Sequence, residues 1–357
     1  MKNIYKCAMA TAIISLMGFA NLPVHESQAK WSIKQTNEWQ KKYGWLRGCN
    51  FIPSTAINQL EMWQYETFDT ATINKELSWA NEIGLNMMRV FLHHKVWEQD
   101  PDGFKKRIET YLAISKKNNI FTMFVFFDDC WAKTAAIGKQ PVPRAGIHNS
   151  GWLQDPGQRE SSDTLYFSKL EIYVKDIMNS FANDKRIILW DLYNEPGNTS
   201  KGDSSMHLLK RVFRWARETK VKQPITVGVW SDRYPNLNKV QLENSDIISY
   251  HNYNKEESQL AQISYLKHYN RPIICSEYMA RTKGSLFQTI MPLLKKENVG
   301  AINWGFVSGK TNTIFEWNDK SHTDGSEPTL WFHDIYRKDK TAFSVDEINV
   351  IKKLCSE

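Results

Sequence analysis

The sequence predicts an α/β fold, a single (β/α)8 TIM barrel, and three observations support this prediction. Eight apolar runs alternate with segments of helical periodicity along one uninterrupted stretch of the 357-residue chain. Such alternation is typical of a parallel sheet covered by helices. The chain is also long enough to form one domain of barrel size. Several apolar runs end in polar or charged residues, as barrel strands do where they reach the active-site edge.

The strands are predicted from short, continuous apolar runs, which are typical of strands buried on both faces. Pro53 and Pro196 are expected to end two of them, because proline cannot donate a hydrogen bond to a sheet ladder. The fourth run continues into Asn194 and Glu195. The eight predicted strands span 48–53, 85–92, 120–127, 187–190, 225–230, 246–250, 272–276 and 301–307.

The helices are predicted from apolar residues that recur with helical spacing between these runs. Gly84 is well placed to end one of them. The predicted helices span 31–43, 71–83, 104–117, 163–181, 204–220, 256–269, 284–298 and 344–354. A doubly wound open sheet is the alternative fold, but neither G-x-G-x-x-G nor G-x-x-x-x-G-K-[ST] follows the first strand.

Two segments fall outside the regular alternation. Residues 130–160 form a long loop rich in Pro, Gly, His and Trp, and loops of this length in a compact domain are usually functional or disordered. Its Trp residues favour a functional loop, and we expect it to control the depth of any substrate cleft. Residues 331–336 (WFHDIY) are expected to form a surface loop before the last helix.

The amino terminus has the pattern of a signal peptide. Lys2 and Lys6 precede an apolar stretch at 7–20, and Ser27-Gln28-Ala29 fits a cleavage site. We therefore expect residues 1–29 to be removed, residues 30–357 to form one catalytic domain, and the protein to be secreted or periplasmic. The apolar stretch is too short for a comfortable membrane span, and no later segment is predicted to cross a membrane.

Charge and cysteine content exclude several classes of protein. The net charge of +7 is not concentrated in any Lys/Arg block, so no nucleic-acid partner is expected. Beyond the predicted signal peptide, Cys49, Cys130, Cys275 and Cys355 lack the spacing of a zinc site. Cys49 and Cys275 lie in apolar runs and are expected to be buried, and the sequence leaves one disulfide open.

The ends of the predicted strands carry the residues that could perform chemistry. If the chain forms a barrel, these residues meet at one mouth. Glu195 and Glu277 then face each other from the fourth and seventh strands, and paired carboxylates are the machinery of glycoside hydrolysis. The other candidates are Arg89 in the second strand, Asn194 in the fourth, His251 and Tyr253 after the sixth, and Trp304 in the eighth.

The motifs WDLYNEP and ICSEY resemble those of the retaining (β/α)8 glycoside hydrolases of clan A. The resemblance is closest to family 5, which contains cellulases and mannanases, and it extends over roughly residues 48–354. It implies that Glu195 is the acid/base, that Glu277 is the nucleophile and that Asn194 binds the sugar 2-hydroxyl. It places Arg89, His251, Tyr253 and Trp304 in the substrate site.

The chain departs from the family pattern at the end of the third strand. Many family members carry a His there, whereas this chain has Asp128-Asp129 followed by Cys130-Trp131. Asp128 and Trp131 are expected to bind substrate, although either Asp could instead cap the following segment. His93 and His94 follow the second strand and could compensate for the missing His.

Several of these residues have a structural alternative. Arg89 could be a buried ion-pair partner, and His251 and Trp304 could belong to the core. Catalysis requires that Glu277 be ionised and that Glu195 be protonated at the start. Arg89 and Tyr253 are expected to lower the pKa of Glu277, and the neighbouring carboxylate is expected to raise that of Glu195.

The predicted function is retaining hydrolysis of a β-linked oligo- or polysaccharide, of the β-mannan or β-mannoside type or the β-glucan type. No metal or organic cofactor is expected. A barrel that binds glycans without cleaving them is the alternative, and the intact Glu pair argues against it. A barrel enzyme acting on phosphorylated metabolites is a third interpretation, for which Gly305 and Gly309 provide only a weak phosphate-loop signal.

Overall fold

The computed structural model describes residues 27–357, and within this range it shows a (β/α)8 barrel. The predicted signal peptide therefore lies almost entirely outside the described residues. The strands are β1 (Arg47–Asn50), β2 (Met87–Phe91), β3 (Phe121–Asp128), β4 (Ile187–Asn194), β5 (Ile225–Thr226), β6 (Ile248–His251), β7 (Ile273–Glu277) and β8 (Gly300–Trp304).

Twelve α-helices surround and connect these strands in the described range. They are α1 (Ile33–Tyr43), α2 (Gln59–Trp63), α3 (Thr70–Glu82), α4 (His94–Gln99), α5 (Pro101–Lys117), α6 (Gln158–Ser162), α7 (Phe167–Ser180), α8 (Met206–Arg217), α9 (Pro235–Asn244), α10 (Glu256–Lys267), α11 (Phe287–Lys296) and α12 (Val345–Ser356). None of them is long and apolar enough to cross a bilayer.

The strands run parallel in the order β5-β4-β3-β2-β1-β8-β7-β6. The barrel closes between β5 and β6. Because β5 itself is only two residues long, the contact with β6 is made beyond its end, by a parallel bridge that joins Val229 to Tyr250. The Val229 amide donates to the Ser249 carbonyl at 3.0 Å, and the His251 amide donates to the Val229 carbonyl at 2.9 Å. All strand ends therefore meet at one mouth.

Two layers of apolar side chains fill the fold. The inner layer plugs the amino-terminal end of the barrel, where Trp39 of α1 closes the bottom by donating to the Ile188 carbonyl at 3.0 Å. The outer layer lies between strands and helices and includes Cys49 and Cys275, which are buried as predicted. All four cysteines of the described range are free thiols.

The predicted surface loop at 331–336 is wrong. Trp331, Phe332, His333, Asp334 and Ile335 are each at most 1% exposed. Arg281, which follows β7, fixes this segment by donating to the carbonyls of Trp331 at 3.1 Å and Asp334 at 3.0 Å. The segment is therefore buried and packed against the loop that follows β7.

Candidate active site

A cavity of about 840 Å³ opens at the carboxyl ends of the strands. Of the residues predicted to form a site, all except Arg89 line it, and Arg89 lies directly beneath. The lining residues from the strand ends and the following loops are Asp128, Cys130, Trp131, Asn194, Glu195, Asn198, Thr199, Trp230, His251, Asn252, Tyr253, Asn254, Glu277 and Trp304.

Glu195 stands at the end of β4 in an unusual backbone conformation. Its φ of 45° lies in the left-handed region, which non-glycine residues rarely adopt and which is often found at functional sites. Its carboxylate lies 2.7 Å from Nδ1 of His251. It also accepts hydrogen bonds from Sγ of Cys130 at 3.2 Å and from Nδ2 of Asn198 at 2.5 Å. The strained turn thus aims the carboxylate into the cavity, where neutral donors hold it.

Glu277 ends β7 and is held by two strong donors. Nη1 of Arg89 donates to Oε1 at 2.9 Å, and the hydroxyl of Tyr253 donates to Oε2 at 2.7 Å. One carboxylate oxygen of Glu277, one of Glu195 and a ring nitrogen of His251 lie within 4.8 Å of one another. This short separation suits a mechanism in which one carboxylate attacks the sugar directly, for which the groups stand roughly 5–5.5 Å apart.

Arg89 is both a structural ion-pair partner and a part of the site. Its guanidinium is fully buried and donates to Asp191 at 2.7 Å, to Asn50 at 2.8 Å and to Oδ1 of Asn194 at 2.7 Å, besides Glu277. The planar fork of donors therefore joins strands β1, β4 and β7 through one side chain. Removing it would leave buried carboxylates without a counter-charge.

Burial is the main influence on both carboxyl pKa values, and the raised pKa of Glu195 agrees in direction with the sequence-based expectation. Burial raises the pKa of Glu195, and its nearest partners Cys130 and Asn198 oppose this effect; the charge of Glu277 is not among the main causes. Burial also raises the pKa of Glu277, against the lowering effects of His251, Arg89 and Tyr253. Arg89 and Tyr253 lower the pKa of Glu277 as expected, but burial outweighs them and the net shift is upward. The Arg89 guanidinium touches Glu277 and not Glu195, and its charge favours the ionised form of Glu277.

His251 is a neutral imidazole in this setting. Burial lowers its pKa to about 4, although the charge of Glu277 acts in the opposite direction. Its Nδ1 lies 2.7 Å from Glu195 and 3.4 Å from Glu277, between the two carboxyls. It lines the cavity, so the alternative of a histidine belonging only to the core does not describe it.

The two Asp residues after β3 have different roles. Asp128 lines the cavity and accepts hydrogen bonds from Asn194 at 2.9 Å and from Trp152 at 2.7 Å. Burial raises its pKa to about 7. Asp129 is turned away from the cavity and accepts from Lys201 at 2.6 Å and from the Gly197 amide at 2.8 Å, so it fixes the turn that follows Glu195.

His93 and His94 do not replace the family histidine, and that expectation is wrong. Neither lines the cavity. Both are buried beside Asp155, with Nδ1 of His94 hydrogen-bonded to its carboxylate and the His94 amide donating to it at 2.8 Å. Cys130 instead occupies the place beside Glu195.

Aromatic rings form much of the cavity surface. Trp304 is 9% exposed and packs edge-on against Trp152, with ring centroids 5.5 Å apart. Trp131 adopts a φ of 70° and stacks on His148 at 5.5 Å. Apolar ring faces of this kind pack against the carbon faces of sugars.

Several cavity residues were not among those predicted from the sequence. Cys130 and Asn198 contact Glu195, and Trp152, Trp230 and Trp317 add aromatic surface. The position of Asn198 three residues after Glu195 was a usable signal for a turn contact. No comparable signal marked Cys130, which meets Glu195 across 65 positions of sequence.

Two facing carboxylates at the mouth of a (β/α)8 barrel are the arrangement that glycoside hydrolysis needs. The model of the cellulase family, glycosyl hydrolase family 5, matches residues 47–310. The chain therefore belongs to family 5 and is a β-glycoside hydrolase. No curated protein sequence matches it.

Solved structures with the same fold share little sequence with this chain. The endo-β-1,4-mannanase from Thermotoga petrophila is 14% identical with a TM-score of 0.58, over 89% of this chain and 77% of that one. The β-mannanase from the blue mussel Mytilus edulis is 15% identical with a TM-score of 0.54, over 88% and 92%. The exo-β-1,4-mannosidase from Opitutaceae bacterium strain TAV5 is 14% identical with a TM-score of 0.60, over 87% and 59%. At such identities these likenesses establish the fold alone.

Proposed function

We propose that this family 5 enzyme hydrolyses β-mannosides with retention, through a covalent glycosyl-enzyme intermediate. The observation that carries the proposal is the pair Glu195 and Glu277, whose carboxylates face each other at the barrel mouth, with the Arg89 guanidinium bound to Glu277 and not to Glu195. The choice of mannose is supported by similar structures that are described as mannanases and as a mannosidase.

In the first step Glu277 attacks the anomeric carbon and forms a bond to it. The bond from that carbon to the glycosidic oxygen breaks, and Glu195 gives its proton to the leaving oxygen. The raised pKa of Glu195 keeps this proton in place until it is needed. The pairing of Glu277 with Arg89 and Tyr253 keeps the attacking group ionised and oriented.

In the second step Glu195 is a carboxylate and takes a proton from water. The hydroxide so formed attacks the anomeric carbon, releases Glu277 as a carboxylate and restores the starting state. Asn194 lies beside Glu195 with its side chain fixed by Arg89 and Asp128, and this position suits a contact with the sugar 2-hydroxyl. Trp304 provides the apolar floor under the ring.

The proposal is tested with a panel of aryl β-glycosides and two variants. Glu277→Ala should lose at least about a thousandfold in kcat because no nucleophile remains. Glu195→Ala should retain activity on aryl glycosides with acidic leaving groups, which need no proton, and lose it on alkyl glycosides. The exposed Glu66→Ala serves as the matched control and should behave as the wild type.

Two outcomes would contradict the proposal. A folded Glu277→Ala enzyme with normal turnover would remove Glu277 from the mechanism. A wild-type protein that binds glycans but releases no chromophore from any member of the panel would be the non-catalytic barrel instead.

We also propose that the protein is exported to a secreted or periplasmic location after removal of residues 1–29. The proposal is supported by the basic start, the apolar stretch at 7–20 and the small residues before Lys30. Amino-terminal sequencing of protein recovered outside the cytoplasm should begin at Lys30. A mature protein that retains Met1 would refute it.

A further inference from the structure

Residues 130–157, the wall segment, cross the barrel mouth from the end of β3 toward the loops that follow β1 and β8. On the β1 side, Asn58 donates to the Gly151 carbonyl at 2.9 Å, and Gln59 donates to the Leu153 carbonyl at 3.0 Å. Both donors are buried. The wall segment is therefore fixed to helix α2 and its cap by directed hydrogen bonds.

The wall segment is equally fixed on the β8 side. The Asn149 amide donates to the Thr311 carbonyl at 2.8 Å, and Nδ2 of Asn312 donates to the Arg144 carbonyl at 2.8 Å. Nδ1 of His148 lies 2.8 Å from the Phe315 carbonyl. Three loops are thus joined into one continuous barrier over the ends of β1, β2 and β8.

This barrier makes the cavity asymmetric. Among the lining residues of the wall segment, His148, Asn149 and Trp152 are only 1–3% exposed, whereas Ala132 and Arg144 are exposed. In the described chain, no residue from the loops after β1 or β2 reaches the cavity, because the barrier lies over them. On the β4–β6 side, the lining residues Trp230 and Asn254 are partly or fully exposed. The barrier therefore closes the cavity toward β1 and β2, and the cavity opens past the exposed residues of the other sides.

The positions of Glu195 and Glu277 indicate which part of the substrate lies on each side of the cavity. A proton donor must face the leaving oxygen, so the leaving part of the substrate extends past Glu195 toward Asn198 and Trp230. The sugar that Glu277 attacks lies on the other side, over Trp304 and against the barrier. The closed end therefore receives the non-reducing end of the substrate.

The barrier also stands close to the reacting sugar. Trp152 donates to Asp128 at 2.7 Å, and Asp128 accepts from Asn194, the neighbour of Glu195, at 2.9 Å. The same Trp152 packs against Trp304, the floor of the site. Only a short chain of side chains therefore separates the wall segment from the catalytic residues.

We propose that the enzyme is exo-acting and removes single sugars from the non-reducing ends of β-linked oligosaccharides, with the wall segment excluding internal bonds. This inference rests on the proposed hydrolytic function and adds the mode of attack to it. It makes Trp152 and its neighbours in the wall segment determinants of specificity, because they occupy the space that a further sugar would need.

The test compares two substrates that differ only at the non-reducing end. One is a β-linked pentasaccharide of the sugar preferred in the aryl glycoside panel, and the other carries a 4,6-O-benzylidene group on its non-reducing terminal sugar. The wild-type enzyme should convert the uncapped substrate first to a monosaccharide and a tetrasaccharide. The capped substrate should react at least roughly a hundredfold more slowly, because its end cannot enter the closed pocket.

The possible results separate the two levels of the proposal. Hydrolysis of the capped pentasaccharide at a comparable rate, with di- and trisaccharides as first products, would overturn exo action while leaving glycoside hydrolysis intact. Failure to hydrolyse any aryl glycoside or either pentasaccharide would overturn the hydrolytic function itself and the inference with it.

Discussion

At the scale of single residues, the contact between Cys130 and Glu195 is the feature that most distinguishes this site. Burial raises the pKa of the Cys130 thiol well above its ordinary value, and the nearby carboxylates Asp128 and Glu195 add to this. The group therefore stays a neutral thiol and donates to Glu195 at 3.2 Å. Such a donor stabilises the ionised carboxylate and so lowers the pKa of Glu195.

Removing this donor should shift the pH profile of the enzyme. In Cys130→Ala the pKa of Glu195 should rise, so the basic limb of kcat/KM should move to higher pH, since that limb reports loss of the proton from the acid/base. Turnover should fall by about tenfold at most, because general acid–base catalysis is weakened and not abolished. Cys130→Ser should keep a donor and remain close to the wild type.

Cys355→Ala is the matched control, because Cys355 lies on α12, away from the cavity. It should leave both limbs unchanged. A basic limb at the same pH in Cys130→Ala and the wild type would show that the thiol only fills space beside Glu195.

Residues of this site that carry a local sequence motif could be predicted, whereas contacts that form only on folding could not. Glu195 and Glu277 could be placed because each follows an apolar run and carries a recognisable motif. The contact of Cys130 with Glu195 could not, since it forms only when two loops fold together. The sequence identified Arg89 and Tyr253 as groups that lower the pKa of Glu277, but it did not reveal the larger effect of burial, which depends on the packed structure.

At the scale of elements, the strands were predicted well because burial on both faces leaves a continuous apolar run. Helix α9 was missed, because only Leu237, Gln241 and Leu242 of its ten residues are buried and its apolar periodicity is weak. Helices α2 and α4 were missed because they are only five and six residues long. Short or weakly amphipathic helices thus give little signal in a periodicity argument.

The segment 331–336 illustrates a different limit. Its aromatic residues were a sign of burial, but their isolation from any regular element favoured a surface loop. Burial there depends on Arg281, which donates to two carbonyls of the segment and to Glu347 of α12 at 2.6 Å. A buried ion pair between distant parts of the chain decides the conformation, and sequence spacing does not reveal such a partner.

At the scale of the whole molecule, closure of the barrel brings distant residues to one mouth and also buries ionisable groups far from it. Glu76 of α3 is fully buried, and both its carboxylate oxygens accept from the Ser54 amide, at 3.3 and 3.2 Å. Burial raises the pKa of Glu76 to about 7 from an ordinary value of 4.5. Global stability should therefore depend on pH through this residue.

The sign follows from the protons bound in each state. Between pH 4.5 and 7 folded Glu76 keeps its proton while the unfolded chain loses it, so its contribution to stability is full below pH 4.5 and declines as pH rises to about 7. The Gln side chain of Glu76→Gln stays neutral at every pH. The free energy of unfolding of the variant minus that of the wild type should therefore increase by up to roughly 3 kcal/mol between pH 4.5 and 8. Urea unfolding at several pH values measures this difference. The exposed Glu66→Gln is the control and should show a constant difference from the wild type. If Glu76→Gln and the wild type instead gave parallel stability curves, Glu76 would ionise without cost and the burial argument would be wrong.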